Sequence, residues 1–397
     1  MDLLECTVMP YAWGSRTAIA SLTGRPTPSD GPEAEMWMGA HPLAPSVVER
    51  DGSRRTLDAI VAGDPERELG ADVVRAFGPR LPFLLKVLAA DEPLSLQAHP
   101  DAARARAGFE AEERRGVPLD APERSYKDPW HKPELLCALG PFDALSGFRA
   151  PEATLRLFDA LAVAELDDVL APLRRSPDAR GLAASFRAVM TMPHDARTRV
   201  VEATVAACAR GGGDFAAERA LAQRLATLYP GDIGVVSALF LELVHLEPGE
   251  AVYLGAGNLH AYLSGVGVEI MASSDNVLRG GLTKKHVDVP ELLSVLDFGG
   301  GPARVLRPRA VDEHEWVYDT PAREFRLSKI ELSGEIARTP RGPEILLVTE
   351  GSASMSAGDA PRSLAIERGR SVFVPASTRR YTLAGTATVY RATTNLS

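Results

Sequence analysis

Up to about residue 150, apolar positions come in short runs such as "LPFLLKVLAA" (81–90) and "PELLCALG" (133–140), separated by Pro, Gly and Asp. Runs of that length between turn residues predict strands of a sandwich or barrel. From Pro151 the spacing changes. Leu155, Phe158, Leu161, Leu166, Val169, Leu170 and Leu173 recur every three to five positions, and Leu182, Phe186, Val189 and Met190 repeat the pattern. In an alanine-rich stretch without strand signals this predicts about four helices up to Tyr229. After "YPGD" (229–232), where Asp232 is placed to cap a last helix, strand texture returns at "LELVHLEPGEAVYLGAGNLHAYLSGVGVEIM" (241–271). The tail is strand-like as well, at "EILLVTEGSASM" (344–355) and "RSVFVPASTRRYTL" (370–383). The expected fold is mainly β with an α insert, divided at 1–150, 151–234, 235–310 and 311–397.

The two β regions carry a repeat. Setting "GEAVYLGAGNLH" (249–260) on "GRSVFVPASTRR" (369–380), a shift of 120, matches Gly249 with Gly369, Val252 with Val372, Tyr253 with Phe373 and Ala256 with Ala376. His260 then falls opposite Arg380. The tail reads as a second copy of the barrel whose histidine is gone.

Composition narrows the class. At 397 residues, 45% apolar and 24% charged, the chain has the make-up of an ordinary globular protein with several cores. A net charge of -9 without a basic block argues against nucleic acid. Cys6, Cys137 and Cys208, odd in number and far apart, fit a reducing compartment. The N-terminus "MDLLECTVMPYAWG" lacks a signal peptide's basic and apolar regions. "IGVVSALFLELVHL" (233–246) is too short to span a bilayer. A cytoplasmic protein, without membrane or nucleic-acid partners, is expected. Only six of the 44 basic residues are lysine, and five of those (86, 127, 132, 284 and 285) fall in the segments that carry unusual polar content.

Those segments are four. In "LSLQAHPD" (94–101) strand parity puts Ser95, Gln97 and His99 on one face and Leu94, Leu96 and Ala98 on the other. In "YKDPWHKPE" (126–134) Pro133 holds Lys132 extended, which sets Lys132 and Glu134 on one side. "GNLHAYLSG" brings His260 to a strand end, and "VEIMASSDNVLRGGLTKKH" offers Glu269, Asp275, Arg279, Lys284 and Lys285. Buried amides and imidazoles need partners. Gln97, His99, Glu134 and His260 would form a two-nitrogen, two-oxygen set of the kind zinc accepts, with one anionic ligand and hence residual positive charge. Singly, each residue also fits an ordinary core or surface role.

"EMWMGAHP", "FLLKVL", "LSLQAHPD", "YKDPWHKPE", "GNLHAYLSG" and "SSDNVLRGGLT", in this order with a helical insert between the fourth and fifth, resemble the class I mannose-6-phosphate isomerases over most of residues 1–290. The resemblance implies two cupin-type jelly-roll barrels, the C-terminal one metal-free, and one Zn²⁺ held by Gln97, His99, Glu134 and His260. It further implies that Arg279 lies in the active site with Lys86, Lys132, Glu269 and Asp275 lining it, and that Ser95 and Lys285 serve the phosphate end of a sugar-phosphate substrate; a monomer is expected, though the residues do not write the oligomeric state. For the proton-transfer base, Glu269, Asp275, Lys132 and His131 remain open. Trp130 stands where the family pattern has asparagine and is expected to reshape the pocket wall. "RGGLT" for "RAGLT" is a minor departure. Two other functions fit parts of the pattern: an iron-dependent dioxygenase on the same barrel, which leaves the lysine and arginine cluster without a task, and a non-catalytic sugar-phosphate sensor with a partner surface at Arg380.

Overall fold

In the computed structural model, which describes all residues except 212, 359–362 and 397, the first barrel is built around one long strand, His260–Ala272. Its second half pairs with Phe83–Ala90 on one side and Glu134–Ala138 on the other. Its first half pairs with Phe142–Phe148, and His260 itself with Gln97. A strand shared in this way must bend where it changes partners. The bend falls at Gly265, whose φ is +123° and where a Cβ would stand 2.6 Å from the Phe142 ring. Only glycine fits there.

The C-terminal barrel rests on three long strands, Arg326–Arg338, Glu344–Ala357 and Tyr381–Thr393, paired along their lengths around a core that includes Ile330, Leu346, Val348 and Leu383. The first strand of the chain, Asp2–Leu4, pairs with Ser371–Phe373 and so extends this sheet. Residues 1–150, expected to stay in the first barrel, therefore also supply an edge to the second. A further apolar cluster joins the barrels, with Leu85, Val87 and Ile270 from one and Phe325, Ile345 and Phe373 from the other.

Within the first barrel's sequence, between its paired strands Phe142–Phe148 and Leu241–Leu246, lie Pro151–Leu161, Asp167–Arg175, Ala179–Met190, His194–Ala209 and Ala216–Leu228, five α-helices up to Tyr229 among the described residues where about four were expected. Periodicity is weakest in His194–Ala209, because Thr204, Ala207 and Cys208 share its buried face with Val200 and Val201. Asp232, expected as a helix cap, instead lies one residue before the cap position, which Ile233 takes. Its Oδ1 accepts from the Gly234 amide at 2.7 Å and its Oδ2 from the Thr283 amide at 3.1 Å, tying the short helix Gly234–Ala238 to a loop of the first barrel.

Strand signals also hid helices before residue 150, at Leu57–Gly63, Pro65–Leu69, Ala71–Phe77 and Ala102–Arg115. The last buries only Ala105 and Glu112 and so has no apolar stripe; its ends carry the signal instead, an Asp101 cap and Gly116 in the left-handed region. No described helix is long and apolar enough to cross a membrane.

The helical unit backs the site. Its core takes in Leu96, Ala98, Leu259, Ala261 and Leu278 from the first barrel. With a period of two, burying those residues on one side turns Gln97, His260 and Arg279 to the other.

Candidate active site

His99, Glu134 and His260 are buried to within 2% and meet at the end of the first barrel. His99 Nε2 stands 3.3 Å from Glu134 Oε1, and His260 Nε2 stands 3.5 Å from Glu134 Oε2. The opposite ring nitrogens are engaged by carbonyls: His99 Nδ1 by Asn276 O at 2.7 Å and His260 Nδ1 by Asn258 O at 3.0 Å. A carbonyl cannot donate, so each Nδ1 carries the proton and each Nε2 of a neutral ring presents a lone pair. Nothing among the described residues satisfies His99 Nε2, His260 Nε2 or Glu134 Oε2. Three buried acceptors facing one space without a donor is a costly arrangement that a cation relieves.

Protonation agrees with that reading. Burial pushes the His99 pKa down to about 4. Burial would raise Glu134, but Lys132, whose Nζ lies 3.0 Å from its Oε1, leads the influences that hold it well below the usual carboxylate range. Metal ligands need these deprotonated forms. Gln97 lies in register with His260 on one side and Arg279 on the other, and it lines the adjoining cavity. The donor set fits a divalent cation such as zinc.

The cavity has a volume of about 930 Å³. Lys86, Ser95, Lys132, Asp275, Arg279 and Lys285 all line it. Their electrostatic settings differ. Lys86 is buried between Glu269 at 3.0 Å and Glu35 at 3.4 Å; burial works against its charge, but these carboxylates raise its pKa far above the ordinary lysine value. Tyr262 OH donates to Glu269 at 3.0 Å, and Trp37 Nε1 donates to Glu35 at 2.6 Å. Glu269, its pKa raised by burial, stands behind Lys86 and does not line the cavity. Arg279 and Lys285 are the reverse case: burial lowers both, and among the described residues no carboxylate offsets it. Asp275 would be raised by burial, yet His41, Lys132 and Lys86 keep it below the usual range.

Several sequence expectations are placed differently. His131 is not brought into the cavity; its Nε2 lies 2.7 Å from Glu324 Oε1, in the C-terminal barrel's loop between Glu315–Tyr318 and Arg326–Arg338. Trp130 does not reshape the pocket wall, because its ring lies 3.9 Å beneath the Arg80 guanidinium, away from the cavity. Leu94, expected opposite Ser95, lines the cavity beside it, since the strand begins only at Leu96. Conversely, Glu35, Trp37, His41, Tyr11 and Trp13 line the cavity without having been singled out. Their signal was the alternation of Glu35 and Trp37 within "EMWMGAHP", a polar and an aromatic residue on one strand face.

Residues 1–151 match the phosphomannose isomerase type I catalytic domain, and residues 161–241 match the phosphomannose isomerase type I helical insertion domain. Mannose-6-phosphate isomerase of Escherichia coli (strain K12) is 38% identical over 389 residues, covering 97% of both chains. The Homo sapiens mannose-6-phosphate isomerase is 32% identical over 406 residues, covering 94% of this chain and 93% of that one. A solved variant of phosphomannose isomerase from Salmonella typhimurium superposes with a TM-score of 0.93 at 36% identity, with 100% of both chains covered. A zinc-bound mannose 6-phosphate isomerase gives a TM-score of 0.92 at 36% identity, covering 100% of this chain and 99% of that one.

Proposed function

The chain belongs to the type I phosphomannose isomerases, and from that membership we propose that it interconverts D-mannose 6-phosphate and D-fructose 6-phosphate through a cis-enediolate, with zinc held by Gln97, His99, Glu134 and His260. The observation that carries the metal assignment is the trio of buried, unsatisfied acceptor atoms on His99, Glu134 and His260. When bound there, zinc supplies positive charge that polarises a sugar oxygen.

The remaining work falls to side chains. Moving a proton between C2 and C1 needs a base and a way to hold charge developing on oxygen. Among the four candidate bases, Asp275 and Lys132 line the cavity. Lys132, paired with Glu134, is the donor toward the sugar oxygens. Asp275 is the unprotonated carboxylate that takes the proton from C2 and returns it to C1. Arg279 and Lys285, cations without a carboxylate partner among the described residues, make the end of the cavity that favours an anion, with Ser95 lining the same cavity. Lys86, already neutralised by Glu35 and Glu269, orients hydroxyls more than it attracts phosphate.

A coupled assay for fructose 6-phosphate, run with metal analysis on the same sample, tests the proposal. Turnover with about one zinc per chain is expected. Full turnover in folded, chelator-treated protein would overturn the role of the metal, and none in zinc-loaded protein the reaction itself.

A further inference from the structure

His41 is buried and lines the cavity, yet the mechanism above gives it no task. It sits in the turn after the strand Glu35–Met38. Its ring is fixed on two sides: Trp37 packs against it edge-on, with centroids 4.9 Å apart, and the Leu43 amide donates to its Nδ1 at 3.3 Å. An Nδ1 that accepts leaves the proton of the neutral ring on Nε2. That nitrogen faces Asp275 Oδ1 at 3.4 Å, a long contact of the kind that tightens when a site closes on its ligand. The Asp275 backbone is anchored separately, its amide donating to Asp128 Oδ2 at 2.7 Å. Among the described residues, His41 is the basic side chain that comes within salt-bridge distance of the Asp275 carboxylate.

We propose that His41 is a positioning residue: its Nε2–H fixes the Asp275 carboxylate in the orientation and ionised form that proton transfer needs. The inference rests on the isomerase reading and on Asp275 as its base. The other charges around Asp275 are accounted for. Lys132 and Lys86 also favour its ionised form, while Asp128 and the Tyr11 phenol face it as groups that gain from its being neutral. Without the His41 contact, Asp275 protonates at higher pH, and the acid limb of kcat/KM moves up.

Two substitutions separate the two sides of the ring. His41→Gln reaches with an amide N–H to the Nε2 position, whereas His41→Asn places an acceptor only near the Nδ1 position and so retains just the bond from Leu43. Both are assayed as zinc-loaded holoenzyme, with metal content and thermal midpoint recorded. The expected result is an acid limb held in place for His41→Gln and shifted up by roughly half a unit or more for His41→Asn, with kcat reduced about tenfold and KM little changed. His41→Asn in an Asp275→Asn background should add no further loss. An unmoved acid limb in the Asn variant, or equal losses in the Asn and Gln variants, would overturn the inference. Wild-type kcat/KM in Asp275→Asn alone would instead remove Asp275 as the base, a failure of the underlying reading that this single variant identifies.

Discussion

The two barrels are built on the same register and differ in what they leave open around the buried carboxylate that starts one strand. In the first, Glu134 opens its strand between Leu254 and Met271; in the second, Glu344 opens its strand between Val374 and Thr393. Counting two residues along, the cross-strand pair Glu269–Lys86 of the first barrel becomes Arg391–Ser328 in the second. Glu35, opposite Leu88, corresponds to Glu315, opposite Ile330. The long strand starts at His260 in one barrel and at Tyr381 in the other. In the C-terminal barrel the Arg391 guanidinium lies 2.5 Å from Glu315 and 3.1 Å from Glu344, and Tyr381 OH donates to Glu344 at 2.7 Å. Its carboxylates are satisfied by the chain itself. In the first barrel, two imidazole nitrogens and a carboxylate oxygen are left facing each other. Both scaffolds carry covalent cations for their carboxylates, Lys86 and Lys132 in the first and Arg391 in the second, but only the first leaves ligand atoms open to a further cation from outside, which is how a duplicated barrel can divide structure from chemistry.

Removing the cation from each barrel is the strongest way to break that comparison. Glu134→Ala should lower metal content and reduce kcat/KM by at least about 10³-fold, read by metal analysis and the coupled assay. Arg391→Leu should leave turnover intact but cost about 4 kcal/mol of stability, seen in the urea midpoint, because Glu315 and Glu344 become buried and unpaired. Lost turnover with unchanged stability in Arg391→Leu would contradict the division.

Acid should find the first barrel's weakness once its metal is stripped. His99 titrates at about 4 in the fold against 6.5 for an ordinary histidine. As pH falls through 6.5 the unfolded chain takes up a proton that the native state refuses until about pH 4. This contribution is therefore complete above pH 6.5 and lost on the way to 4, a fall of about 3 kcal/mol. Urea midpoints of chelated protein across that window measure it; a flat profile would rule it out.

Arg279 sharpens the contrast with Arg391, being a cation with no carboxylate to hold among the described residues. Arg279→Ala should cost about 10²-fold in kcat/KM with the thermal midpoint nearly unchanged. A loss confined to KM would limit it to phosphate binding. The smallest effect is expected at Trp130, which stacks on Arg80 outside the cavity. Trp130→Asn should keep kcat/KM within about twofold and lower stability by about 1 kcal/mol, read in steady-state kinetics and urea titration.

Much of this was legible in the chain. Short apolar runs gave the barrels, the three-to-five spacing gave the helical insert, and period-two alternation set Leu96 and Ala98 against Gln97. The repeat at a shift of 120 is visible in the matching partners of Leu254 and Val374, although the strand then starts at Tyr381, one position past Arg380. Local pattern carries these features because strand and helix periods act over a few residues. What escaped it depends on packing between distant segments. Only the fold sets Glu35 and Glu269 on either side of Lys86, sends His131 to Glu324 and Trp130 to Arg80, and brings His41 within reach of Asp275. The residue types fixed which groups can bind a cation or move a proton; which of them share a low-dielectric space, and with what charge beside them, was decided by the tertiary structure, because Coulomb interactions and desolvation depend on distance and burial, not on order along the chain.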